Sequence, residues 1–177
     1  MLLIPWLISK NIINKKNNQG KPILKEKNML QSSALTAKGR LTLEQFDKDG
    51  NLIHTQETTN VVVDTGLAYI ASRMKDASAT AMSHMAVGSN STAAASGDSA
   101  LGTELGRVAL TSTTVSTNSV TYVGDFPAGT GTGAVVEAGI LNASSSGTLL
   151  CRTVFSVVNK AAADTLKVTW TLTVSDS

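Results

Sequence analysis

The sequence predicts a mainly β protein: an antiparallel β-sandwich with one short helix and an extended N-terminal arm. Three observations carry that prediction. Charged residues make up only 16% of the chain, while Ser, Thr, Ala, Gly and Val are abundant, a balance that favours short strands and turns over a helical bundle. Residues 165–174 alternate strictly, with Leu166, Val168, Trp170, Leu172 and Val174 set against Thr165, Lys167, Thr169, Thr171 and Thr173, the period of a strand with one buried face. Two apolar runs, 134–141 and 148–158, flank Asn142-Ala-Ser-Ser-Ser-Gly147, whose turn formers make the pair a buried β-hairpin. At 177 residues the chain is long enough for one domain with a sizeable core plus an arm. We divide it into an assembly arm, 1–33, and a sandwich body, 34–177.

The arm is set apart by charge. Residues 1–28 hold six lysines (Lys10, Lys15, Lys16, Lys21, Lys25, Lys27) and one acid, Glu26, whereas the rest of the chain has nine basic and twelve acidic side chains. Residues 1–8 are apolar and include Leu3, Ile4, Trp6 and Leu7. The lysines follow the apolar run instead of preceding it, and eight residues are too few to span a bilayer, so neither a secretory signal nor a membrane span is expected. Leu3, Ile4, Trp6, Leu7, Lys10, Lys15 and Lys16 are the candidate partner-docking residues. The alternative for this segment is a disordered N-terminus ahead of a compact part that begins near Met29.

The body opens with a hairpin over residues 39–57: Leu41, Leu43 and Phe46 precede a turn at Asp47-Lys-Asp-Gly-Asn51, and Leu52 and Ile53 follow it. Asp47, Asp49 and Asn51 match the first three ligands of a calcium loop. The match then fails at Leu52, where glycine is needed, and at Thr58, where glutamate is needed. After the short run 61–63, Asp64 or Thr65 caps a helix to about Lys75, with Leu67, Ile70, Ala71 and Met74 on one face. His84-Met-Ala-Val-Gly88 reads as a strand, 89–100 as a long exposed loop and Leu101-Gly-Thr-Glu104 as a short turn or helix. Residues 107–126 form a second hairpin reversing at Thr117-Asn118-Ser119, with one apolar and one hydroxyl-bearing face.

Candidate chemistry is sparse. Glu137 lies inside an apolar arm of the 134–158 hairpin and requires a partner, because an unpaired buried charge is costly. Arg152 in the facing arm supplies one, giving a structural ion pair. The single Cys151 excludes an internal disulfide and a cysteine-based zinc site, and reads as a small core residue. His84 and His54 have no metal-ligating neighbours at ligand spacing. The Gly-rich 127–133 segment allows only a loose G-x-G-x-x-A reading, and it leads into a strand where a phosphate site needs a helix N-terminus. No catalytic constellation, metal site or cofactor site is expected, and the net charge of +2 predicts no specific nucleic-acid affinity.

Ser83-His-Met-Ala-Val-Gly88, Ala100-Leu-Gly-Thr-Glu104 followed by Arg107, and Val136-Glu-Ala-Gly-Ile140 followed by Arg152-Thr-Val-Phe155 occur in that order. Together they resemble virion structural proteins of tailed bacteriophages, in particular tail-fibre and tail-collar β-modules. The resemblance covers residues 34–175. It implies a non-enzymatic, self-assembling β-protein located in the virion, with other virion proteins as partners and a homo-oligomer, a trimer by preference, as its state. A capsid decoration or cement protein is the alternative, since such modules recur across the particle. A carbohydrate-binding module, with a host surface glycan as partner, or a small hydrolase is disfavoured, since an aromatic content of 4% is too low for an obvious sugar-stacking platform.

Overall fold

A computed structural model of the chain describes residues 34–75 and 79–176. The body is mainly β, with two five-stranded antiparallel sheets and one short helix. The helix, the 39–57 and 134–158 hairpins and the final strand are present, with changes of detail that follow from packing. The arm residues Leu3, Ile4, Trp6, Leu7, Lys10, Lys15 and Lys16 lie outside the described residues.

The strands are β1 (Leu35–Phe46), β2 (Leu52–Thr59), β3 (Val61–Val62), β4 (His84–Gly88), β5 (Glu104–Ala109), β6 (Ser112–Ser116), β7 (Ser119–Phe126), β8 (Gly133–Leu141), β9 (Leu149–Lys160) and β10 (Thr165–Asp176); α1 is Asp64–Arg73. The first sheet runs β2-β1-β10-β7-β6 and the second β3-β9-β8-β4-β5. The chain therefore crosses between sheets four times, and β10 returns to the middle of the first. There it pairs with β1 from Leu35 opposite Asp176 to Phe46 opposite Thr165. The alternation of residues 165–174 is realised in this strand: Leu166, Val168, Trp170 and Leu172 are buried against Leu41, Leu43, Val135, Ile140 and Phe126 from both sheets. The Trp170 indole N–H donates to Asn60 Oδ1 at 3.0 Å, tying the core to the crossover between β2 and β3.

Four expectations are corrected. Residues 107–126 do not make one hairpin: β5 pairs with β4 in the second sheet, and only β6 and β7 pair with each other, around a two-residue turn in which Thr117 has φ 52°. Leu67 and Met74 do not face the core; they are 47% and 79% exposed, and the buried position of α1 is Gly66, with Tyr69 and Ile70 packed on the main core. Neither Asp64 nor Thr65 caps the helix. Val63 holds the cap position, and the Thr65 hydroxyl instead donates to the Leu149 carbonyl at 2.9 Å. In the buried hairpin, Val157 is 51% exposed; it lies where the β8–β9 ladder slips register, between the pairs Glu137–Val154 and Val135–Val158.

Candidate functional site

Glu137 sits where the ladder of β8 slips register, between Val135 and Glu137, and opposite it on β4 is Gly88. Such a bulge re-aims a side chain. The carboxylate is turned away from the main core and lies, fully buried, beneath the 89–103 segment. Its Oε1 accepts the backbone N–H groups of Thr103 at 2.8 Å and Asn90 at 3.1 Å, and its Oε2 accepts that of Gly102 at 3.0 Å. Arg152 Nε donates to the same Oε2 at 2.8 Å, with a second guanidinium nitrogen equally close. The expected ion pair is thus formed, at 0% exposure for one side chain and 3% for the other.

The pair is part of a larger cluster. Arg152 also donates to Asp98 Oδ2 at 2.8 Å and to the Thr92 carbonyl at 3.1 Å, and Asp98 in turn accepts the Ala95 N–H at 3.0 Å. The segment read from sequence as a long exposed loop, 89–100, is largely exposed, yet together with 101–103 it is laced onto β8 and β9 by its backbone. It covers a small apolar cluster of Val63, Ala86, Leu141 and Leu149, packed with Leu101. Glycines across the ladder make the room: Gly88, opposite Glu137, clears the carboxylate, and Gly139, opposite Arg152, clears the Leu101 and Leu149 side chains. A Cβ on Gly88 would lie 2.5 Å from Glu137 Oε1, and one on Gly139 would lie 2.6 Å from the Leu101 side chain.

Electrostatics follow from this geometry. Burial pushes the Glu137 pKa up, but the N–H groups of Thr103 and Gly102, the Arg152 guanidinium and the Asn90 N–H outweigh it and hold the carboxyl below its ordinary range. The Asp98 carboxyl is lowered by the Ala95 N–H, against burial and with help from Arg152. Burial works against the Arg152 charge, and the two carboxylates more than restore it. A carboxylate serving as base or nucleophile needs an accessible lone pair. Glu137 offers none, since donors occupy both oxygens, and what the arrangement does is lock a segment to a sheet.

The other candidates are placed as follows. Asp47 accepts the N–H groups of Asp49 and Asn51, each at 2.9 Å, and the Asn51 side-chain amide, the largest cause of its lowered pKa, so its oxygens close the turn. His84 Nδ1 is 2.8 Å from the Ser83 hydroxyl. Cys151 is fully buried in the core, and burial raises its pKa. The 127–133 segment crosses from β7 to β8 and is held by the buried Lys160 ammonium, which donates to the carbonyls of Pro127 at 3.1 Å and Asp164 at 2.7 Å. Among the described residues there is no group of three or more metal-ligating side chains, and no helix is long and apolar enough to cross a membrane.

Sequence reasoning found Glu137 and Arg152 but missed Asn90, Thr92, Asp98 and Thr103. Asp98 had a signal of its own, as the one charged side chain in residues 89–103. The others act through backbone groups, which side-chain identity does not reveal. No family model matches the chain, and comparison with curated proteins and with solved structures returned no match.

Proposed function

We propose that the protein is a non-enzymatic structural component of a tailed-phage virion, in the tail, collar or fibre region, that assembles with copies of itself and docks on neighbouring virion proteins. The observation that carries the reading is the convergence of the three motifs behind the resemblance on one buried cluster. The 83–88 motif contributes Gly88, the 100–104 motif contributes the N–H groups of Gly102 and Thr103, and the 136–140 and 152–155 motifs contribute Glu137 and Arg152. Arg107, which follows the second motif, donates to the carbonyls of Ala143 and Ser146 and so holds the β8–β9 turn. Residues spaced across the chain that serve only to hold a sheet and its covering segment together suit a module whose task is mechanical. The trimer expected from sequence is one closed state for such a module, and pairing along a sheet edge is another.

The arm, with its apolar 1–8 run and its lysines, is the proposed grip on an adjoining acidic surface, an attraction that weakens as salt rises. Imaging of virions carrying a tagged copy tests the reading. Label at the tail, collar or fibres supports it; label spread over the shell favours the decoration reading; absence of the chain from purified particles overturns both. Deletion of residues 1–28 is expected to reduce incorporation into particles.

A further inference from the structure

The first sheet ends at β6, and among the described residues nothing pairs with or covers this edge. All five residues, Ser112, Thr113, Thr114, Val115 and Ser116, are exposed, and Val115 is 71% exposed. Free edges in soluble proteins are usually blunted by lysine, proline or a bulge, and β6 has none of these: it carries no charge, and its pairing to β7 is regular from Ser112 opposite Val123 to Ser116 opposite Ser119.

We propose that β6 pairs antiparallel with β6 of a second copy about a two-fold axis through Thr114, joining two five-stranded sheets into one. The inference rests on the self-association part of the proposed function and gives it a partner, a geometry and an order of two. Three features lead to it. The two-residue turn makes Ser116 and Ser119 a hydrogen-bonded pair, so by alternation the N–H and C=O groups of Thr113 and Val115 point outward from the sheet. In a two-fold register centred on Thr114, Thr113 faces Val115 of the copy and Val115 faces Thr113, so the outward groups meet each other.

The second feature is the hydroxyl ladder across this sheet. Ser119 and Thr173 hydroxyls lie 2.8 Å apart, and those of Thr121 and Thr171 lie 3.0 Å apart. Thr114 is opposite Thr121 and Ser116 is opposite Ser119, so both rows run out to the edge. The copy would continue them, with Thr114 facing Thr114 and Ser116 facing Ser112. Cross-strand Thr and Ser pairs of this kind are favourable, and a neutral strand meets its copy without like-charge repulsion.

The third feature is apolar. A cavity of about 380 Å³ opens at this end of the sandwich beside Thr113 and Val115, lined also by Tyr69, Met82, Val120 and Leu172. Pairing would bury the exposed Val115 at its rim. The contact area is small beside the roughly 1,600 Å² of a standard interface, so the pair forms at high local concentration, as on a particle.

Cysteine scanning of the full chain tests the register, because the native Cys151 is buried. Facing residues of a non-hydrogen-bonded pair have Cα atoms about 4.5 Å apart, within the 4.4–6.8 Å that a disulfide spans. Thr114→Cys is therefore expected to give a covalent dimer on mild oxidation of concentrated protein. Thr113→Cys and Ser116→Cys, offset from their own copies by two and four residues and so separated by about 8 Å and 14 Å, are expected to link at least 10-fold less. Equal linking at all three positions, or none at Thr114, overturns the proposal, as does a crosslink from Thr114→Cys to a different virion protein instead of to itself. In a second measurement that needs no cysteine, sedimentation of the natural chain is expected to show concentration-dependent dimers that Val115→Pro removes while its circular dichroism stays unchanged. A trimer, or a strict monomer at the highest concentration reached, overturns the two-fold edge and leaves the virion reading to be judged by imaging.

Discussion

Glu137 is a full negative charge with no solvent, held by three backbone N–H groups and one guanidinium. Breaking a buried pair by removing one partner strands the other, at a cost of about 3–5 kcal/mol. Arg152→Met is expected to lose about that much in urea unfolding, and to free the 89–103 segment for rapid hydrogen exchange. The pH dependence follows from the depressed folded-state pKa values of Glu137 and Asp98. Below the ordinary carboxyl pKa of about 4 the unfolded chain takes up protons that the folded chain refuses, so stability present at neutral pH is lost as pH falls through the folded values. Thermal melts are expected to be flat from neutral pH to about pH 5 and to fall below about pH 4. In Arg152→Met this acid loss should flatten, because a buried Glu137 without its cation gains by protonation. Lys160 has the opposite chemistry, since burial lowers its pKa against the opposing pull of Asp164. Stability should therefore keep rising toward alkaline pH as the unfolded chain holds the extra proton. The sequence displayed the Glu137–Arg152 pair because an acid and a base interrupted facing apolar arms. It concealed the rest of the cluster, whose donors are peptide groups in a segment of small polar residues.

At the scale of elements, what was legible was whatever has a local cause. The period-two strands, the Asp47–Asn51 turn and the Asn142–Gly147 turn follow from side chains acting on their own backbone, and in the last of these Asn142 Oδ1 accepts the Thr148 N–H at 2.7 Å. What was hidden is decided at a distance. Residues 104–109 and 112–116 are only two residues apart in the chain, yet β4 claims the first strand and β7 the second, and nothing local in either states which sheet it joins. The face of α1 was misjudged for the same reason: Leu67 and Met74 are larger than Gly66, but only the glycine fits against the Leu150 carbonyl of β9. One local cause works against the fold. Thr117, a β-branched residue, takes φ 52° at the first central position of the β6–β7 turn, where glycine is preferred. Thr117→Gly is expected to stabilise the protein by up to about 1 kcal/mol, the relief of left-handed strain being partly offset by the freer unfolded chain. That is a rise in Tm of about 2–4 °C for a domain of this size, measurable by calorimetry; a fall would mean that the Thr117 side chain contributes packing of its own.

For the body as a whole, the decisive pairing is between its first and last strands, because β10 lies between β1 and β7 and supplies Leu166, Val168, Trp170 and Leu172 to a core shared by both sheets. Neither sheet can bury its inner face until residues near 40 meet residues near 170, so the main core belongs to both sheets at once. Unfolding is therefore expected to be a single transition. The test is a chain carrying Trp6→Phe, in which Trp170 is the sole tryptophan: its fluorescence and far-UV circular dichroism should change at the same denaturant concentration. Refolding should be slow, on the millisecond-to-second scale of sandwiches dominated by non-local pairing, because the entropy of closing the whole body is spent before the β1–β10 contacts form. Removing residues 165–177 should unfold both sheets together and not merely fray an edge. If the truncated chain instead keeps the circular dichroism of the second sheet, β8 and β9 form a stable unit without β10, and the two transitions should separate in the intact protein as well.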